Sequence, residues 1–150
     1  MFVVLCGPPA TGKTTLATEL HERLRARGYE FERLCSDEFS RRTYEQMYER
    51  VVNSDADWLI DGTFYRREWQ ERFRRLEEVR FVHVTADVET CLARNRARED
   101  AISEKGLRVV HAEFAPPREA LTIDTDERAL EAALDGLELV VLSWLDDDEG

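Results

Sequence analysis

The chain is 150 residues long, 43% hydrophobic and 35% charged, with a formal net charge of −11. That length suits one domain with one buried core, the apolar share is too high for a disordered acidic chain, and no apolar run reaches the ~18 residues that a membrane helix requires. Positive charge comes from nineteen arginines and only two lysines, Lys13 and Lys105; an acid-rich, lysine-poor surface repels itself unless salt screens it, so a halophilic cytosol is expected.

Phe2-Val3-Val4-Leu5-Cys6 reads as a buried strand. It leads into Gly7-Pro8-Pro9-Ala10-Thr11-Gly12-Lys13-Thr14, which satisfies G-x-x-x-x-G-K-[ST] at every fixed position. Glycines at 7 and 12 let the backbone bend around an anion with no Cβ in the way. The N–H groups of such a loop point inward, and the following helix adds the positive end of its dipole. A nucleoside-triphosphate site is therefore expected over Gly7–Thr14 with Thr15, which is also an early helical residue. Lys13 is expected to reach the β- and γ-phosphates and the Thr14 hydroxyl to ligate Mg²⁺.

A helix follows over about 13–27, with Leu16, Leu20 and Leu24 at helical spacing and Gly28 as its stop. The remaining pattern predicts a strand at 29–35, a helix at 39–53, a strand at 58–60 ending in Asp61, and a helix at 66–77. Next come a strand at 81–84, a helix from an Asp87 cap to about 98, a short helix at 107–114, and a strand at 121–123 after Pro116-Pro117. Asp124 or Thr125 is expected to cap a last helix through Leu130, Ala133, Leu134 and Leu137. Residues 138–145 suit either a continuation of that helix or an edge strand, and 146–150 read as a solvated, mobile acidic tail. Strand–helix alternation implies a mostly parallel sheet covered on both faces, with ligands at the carboxyl ends of the strands.

Two aspartates stand at predicted strand ends. Asp61 resembles the carboxylate that holds Mg²⁺, in some cases through water, and Asp37 then suits the proton of an acceptor hydroxyl. The two roles are exchangeable on sequence alone, and either residue also suits a cap or a turn. Arg41 and Arg42 follow Asp37 within one turn, and Arg66 and Arg67 follow the third strand. Arg94 and Arg98 share one helix face, suited to closing positive charge over a transferring phosphoryl group. In so acidic a chain the competing role for any arginine is a surface ion pair. Cys6, Cys35 and Cys91 are odd in number and lack C-x-x-C spacing, which favours reduced thiols in a cytoplasmic protein. The start carries no signal-peptide pattern.

Taken together, Gly7–Thr15, Asp37 and Cys91-Leu92-Ala93-Arg94-Asn95-Arg96-Ala97-Arg98 resemble the small P-loop kinases that act on metabolites or nucleic-acid ends. Glu104-Lys105-Gly106-Leu107, Phe114-Ala115-Pro116-Pro117 and Leu121-Thr122-Ile123-Asp124-Thr125 resemble segments of adenylylsulfate kinase, and Thr63-Phe64-Tyr65-Arg66 echoes its S-P-Y-R. The family's D-G-D-N-x-x-R appears only as Ser36-Asp37-Glu38-Phe39-Ser40-Arg41-Arg42, and its F-T-G-I-D has no counterpart. The resemblance implies a three-layer α/β/α P-loop NTPase fold, nucleoside-kinase-like, with five strands in the order 2-3-1-4-5 and one domain over 1–145 whose lid spans about 94–113. It implies a phosphotransferase using ATP and Mg²⁺. Lys13, Asp37, Arg94 and Arg98 would be catalytic, and Thr14 and Asp61 would hold the metal. Asp37, Arg41, Arg42, Arg66 and Lys105 would meet a small-molecule acceptor, best matched by adenylylsulfate.

Two other readings stay open, a kinase acting on nucleic acid or tRNA and a nucleotide-binding switch with slow ATPase. The acidic charge and the lack of a basic stripe weigh against nucleic acid. Monomer and homodimer are not separated by the sequence. The halophilic reading predicts that unfolding free energy rises from dilute to molar KCl, checked by denaturant titration at each salt concentration; equal stability at both would exclude it.

Overall fold

In β1 (Phe2–Cys6) every residue is buried, so the strand must be covered on both sides. Phe2, Val4 and Cys6 face one apolar cluster and Val3 and Leu5 the other, as strand alternation requires. A computed structural model describes residues 1–126 and 130–149. In it β1 lies at the centre of a five-stranded sheet with β2 (Phe31–Cys35), β3 (Asp57–Gly62), β4 (Val79–Thr85) and β5 (Ala120–Asp124). The order is β2-β3-β1-β4-β5 and every pairing is parallel. All carboxyl ends therefore share one edge.

One face is covered by α1 (Lys13–Ala26) and α6 (Leu130–Glu149). Leu16, Ala17, Leu20 and Leu24 of α1 pack there with Ala133, Leu134, Leu137, Val141 and Leu145 of α6. On the other face, α2 (Thr43–Val51) and α3 (Arg67–Phe73) bury Tyr44, Met47, Val51 and Phe73 against Val4, Ile60 and Phe81. At the carboxyl edge α4 (Val88–Arg96) and α5 (Glu104–Glu113) share a small cluster of Ala86, Cys91, Leu92 and Leu107. No helix among the described residues is long and apolar enough to cross a membrane.

Several boundaries differ from the sequence reading. The expected helix at 39–53 shortens to α2 and a 3₁₀ turn at Ser36–Glu38 precedes it, because Phe39 returns to extended backbone. Asp61 lies inside β3 rather than beyond it. The third helix stops at Phe73, and α5 begins at Glu104, where the Ser103 hydroxyl accepts the Gly106 N–H. Residues 138–145 continue α6, since Val141 and Leu145 extend the stripe begun by Leu134 and Leu137. The acidic residues 146–149 prolong the same helix instead of forming a separate tail, because a helix anchored at Leu145 adds a hydrogen bond per residue. Neither expected cap opens the last helix, since Asp124 closes β5 and Thr125 lies in the turn after it; residues 127–129 are outside the described residues.

A buried ion pair ties the two helices of the α1 face together. Glu138, only 8% exposed, accepts Arg23 Nη1 at 2.9 Å and Arg27 Nε at 2.8 Å. Arg23 above all holds the Glu138 carboxyl below its usual range. A depressed carboxylate stabilises the fold above its unfolded value of about 4.3 and loses that contribution as pH falls through the folded value. Glu138→Gln is thus expected to cost about 1.5–3 kcal/mol near neutrality. In urea titrations the gap to the parent chain should be full above about pH 5 and shrink in acid.

Candidate functional site

The loop leaving β1 is wedged before it opens. A Cβ on Gly7 would stand 2.1 Å from the Val84 carbonyl oxygen, so only glycine lets the chain turn there between β3 and β4. Gly12, the residue before α1, has φ +98, and Ala10 also sits in the left-handed region at φ 66. Gly7, Pro8 and Thr11 are buried beneath the loop, with the Thr11 hydroxyl donating to the Pro8 carbonyl at 3.0 Å. Pro9, Ala10, Gly12, Lys13, Thr14 and Thr15 face a cleft of about 620 Å³.

Lys13 is 8% exposed and its ammonium donates to the Pro8 carbonyl at 3.2 Å. Burial lowers its pKa, with Asp61 and then Asp37 opposing the shift. Such a cation gains from any anion entering the cleft. No side chain caps α1, so its first N–H groups face the same space.

Asp61 sits opposite Leu5 and Cys35 in the register of the sheet. Its Oδ1 accepts the Thr14 hydroxyl at 2.9 Å and the Cys35 thiol at 3.2 Å, and burial above all keeps that thiol protonated, its pKa pushed up to about 12. Its Oδ2 is buried with no hydrogen-bond partner among the described residues, the Arg33 guanidinium standing 3.9 Å away. A hydroxyl beside an unsatisfied carboxylate oxygen fits Mg²⁺, a hard cation that takes few protein ligands and completes its shell with water and phosphate. Among the described residues no three His, Cys, Asp or Glu side chains form a metal cage.

Asp37 is exposed on the 3₁₀ turn and lines the cleft. Glu38 secures that turn by accepting the Cys35 N–H at 2.8 Å. Arg94 lines the cleft too, and it donates to the carbonyls of Thr11 at 3.2 Å and Ala10 at 3.4 Å, and to Thr125 Oγ1 at 3.0 Å. Thr125 in turn donates to the Thr11 carbonyl at 2.9 Å. Arg98 lines the cleft from the turn after α4 and pairs with Asp100 at 3.3 Å.

The sequence did not single out Asn95, whose amide grips the Ile102 backbone twice, at 2.7 and 3.1 Å, and so shapes that turn. Nor did it show Thr125 as a latch, or Ser36 and Thr63 as cleft walls. Four predicted acceptor residues lie outside the cleft lining. Arg42 begins α2 and pairs with Glu45 at 2.5 Å; Arg41 is exposed and offers its carbonyl to Gln46. Lys105 borders a separate groove with Arg108 and Glu113. Arg66 lies over the rings of Tyr65 and Trp69. The contact at residue 7 makes a direct prediction: Gly7→Ala should displace the loop and weaken binding of a non-hydrolysable ATP analogue at least ~10-fold by calorimetry, overpacking of this kind costing about 1–3 kcal/mol.

Known proteins are similar to this chain in sequence or in fold. Mouse adenylate kinase 8 is 34% identical over an alignment of 87 residues that covers 44% of this chain and 18% of that protein, so the chain spans less than a fifth of its relative. The APS kinase CysC of Mycobacterium tuberculosis, solved with AMPPNP and APS, superposes with a TM-score of 0.75 at 14% identity, covering 97% of this chain and 96% of the other. A gluconokinase from Sinorhizobium meliloti 1021 gives a TM-score of 0.69 at 16% identity over 93% and 94%. These structures share the P-loop kinase-like fold and sheet order. The family model described as an AAA domain, AAA_33, matches residues 2–117, and the chain belongs to that family.

Proposed function

We propose that this protein is an ATP-dependent phosphotransferase that moves the γ-phosphoryl group to a hydroxyl of a small acceptor. One observation carries the reading: Lys13, the Thr14–Asp61 pair and the exposed carboxylate of Asp37 all border one cleft of about 620 Å³. A simple nucleotide switch has no need of a second carboxylate there. The relatives named as kinases support the same reading.

The loop amides and Lys13 bind the triphosphate and neutralise its charge. Thr14 and Asp61 would hold Mg²⁺, which when bound supplies positive charge to the β- and γ-phosphate oxygens. Asp61 suits that role because it is buried and bonded to Thr14, while Asp37 is exposed on the cleft wall. Asp37 orients the acceptor hydroxyl and takes its proton. Arg98 leaves Asp100 to meet the transferring group, and Arg94 holds the loop in shape.

Adenylylsulfate is the acceptor that the sequence resemblance suggests, with Arg66 at the rim of the acceptor side. The setting is a salt-rich cytoplasm. An ATP-consumption screen in high salt against adenylylsulfate, gluconate, shikimate, nucleosides and 5′-hydroxyl oligonucleotides tests the reading. Lys13→Ala should abolish turnover with the fold intact by circular dichroism. Asp37→Asn should lower kcat by roughly 10²–10⁴-fold with little change in ATP affinity. Full activity in either variant would overturn its assigned role.

A further inference from the structure

Two carboxylates are buried among the described residues, Glu138 and Asp61, and each has cations beside it. Glu138 is hydrogen-bonded by both of its arginines. Asp61 is held differently: the Arg33 guanidinium stands 3.9 Å from Oδ2 and offers it charge without a hydrogen bond. We propose that Arg33 is a positioning residue that acts through Asp61 as a resident counter-cation, holding down the affinity of that carboxylate for a divalent metal until a nucleotide is bound. The proposal rests on the phosphotransferase reading for the metal role of Asp61 and adds to it a residue from outside the cleft lining.

Strand alternation puts the charge there. In β2, Phe31 packs on the α1 face and Leu34 on the other, so Arg33 and Cys35 share the α1 face with Phe31. Leu59 packs on that face too, and Asp61, two residues further along β3, joins it. In the register Arg33 stands opposite Leu59 and Cys35 opposite Asp61. The long Arg33 side chain therefore runs along the sheet toward the carboxyl edge to reach Asp61. Surface acids are closer in sequence, since Glu30 and Glu32 are both exposed, yet the ion-pair partner of Arg33 among the described residues is the buried Asp61.

Hydrogen bonding leaves one oxygen of Asp61 open to a cation. Thr14 and Cys35 both donate to Oδ1, at 2.9 and 3.2 Å, and so fix the carboxylate. Oδ2 accepts no hydrogen bond, and Arg33 Nε is likewise buried without a partner. Polar groups buried in this way are costly unless charge attraction offsets them. Arg33 supplies that attraction from the edge strand, with its side chain still 31% exposed.

The balance of charge gives the consequence. Lys13 is buried as well, and Asp61 stabilises its charge more than any other group does. One buried carboxylate thus meets two cations, and a free divalent ion would gain the attraction of the one against the repulsion of both. Asp37 pulls only from the cleft wall, where it is exposed and water weakens it. A triphosphate occupies Lys13 and brings several negative charges of its own, which makes the same position favourable for a divalent ion. Neutralising Arg33 therefore strengthens metal binding by the nucleotide-free protein, the opposite of what damage to the site does.

Mn²⁺ titration of the nucleotide-free chain, followed by the electron paramagnetic resonance of the free ion, tests this in high salt, which screens buried pairs little. Arg33→Met should bind Mn²⁺ at least ~5-fold tighter than the parent and Arg33→Lys should stay within ~2-fold of it. Arg33→Gln should gain as Arg33→Met does, so that either neutral variant decides the matter if the other fails to fold. Adding Asp61→Asn to Arg33→Met should cancel the gain. Unchanged or weaker Mn²⁺ binding in the folded neutral variants, or a gain that survives Asp61→Asn, would overturn the proposal. Tighter Mn²⁺ binding with no transfer to any acceptor in the screen would keep it and sink the phosphotransferase reading. Transfer by the parent with Mn²⁺ binding unmoved by loss of the Arg33 charge would do the reverse.

Discussion

Where β1 ends, the chain passes so close to β4 that a single methyl group at Gly7 would overlap the Val84 carbonyl. The rest of the site depends on that approach. It fixes the loop between β3 and β4, and so decides which side chains of those strands it can meet. Because the sheet is parallel and β1 central, Asp61 of β3 arrives beside the first turn of α1, within hydrogen-bond reach of Thr14. A bulkier residue at 7 would move the loop and break the Thr14–Asp61 pair together.

Two kinds of positive charge serve the cleft, and burial separates them. Lys13 is buried against its own loop and pays a desolvation penalty that nearby carboxylates offset only in part. Arg94 is spent on carbonyls: its donors face Ala10, Thr11 and Thr125, so it acts as a splint for the loop. Among the described residues the ion-pair partner of Arg98 is the exposed Asp100, and an exposed pair of that kind is worth about 0–1 kcal/mol. The guanidinium that exchanges partners most easily is therefore Arg98, although both arginines come from one helix-end motif.

Local features of the site were legible in the sequence and assembled ones were not. The strand, loop and helix over 2–27 lie consecutively, and apolar periodicity with fixed glycines marks them without tertiary help. Asp61 was visible because an apolar run ends in it. The ambiguity at 138–145 arose because the apolar run Leu139-Val140-Val141-Leu142 with Trp144 and Leu145 suits a short buried strand as well as a helix, and only packing on α1 decides it. The shallow recess bordered by Tyr44, Tyr65 and Trp69 was invisible, since it joins Pro9, Ser36, residues 43–44, residues 63–69 and Val110, which lie far apart in the chain. Lys105 attracted attention as one of two lysines, yet a residue count says nothing about direction, and its side chain borders another groove.

Strained backbone holds one part of the cleft wall and weaker contacts hold another. Ala10 and Phe64, two non-glycine residues in the left-handed region, belong to the loop and to the segment after β3. Both conformations are held by the packing and hydrogen bonds around them, so the donor side and the ring-lined side are set before any ligand arrives. The turn between α4 and α5 is held differently. Apart from the small cluster at Leu107, it relies on the two Asn95 hydrogen bonds and on exposed ion pairs such as Arg96–Glu104. Exposed pairs contribute little, so the free energy of shifting this turn is governed mainly by one amide.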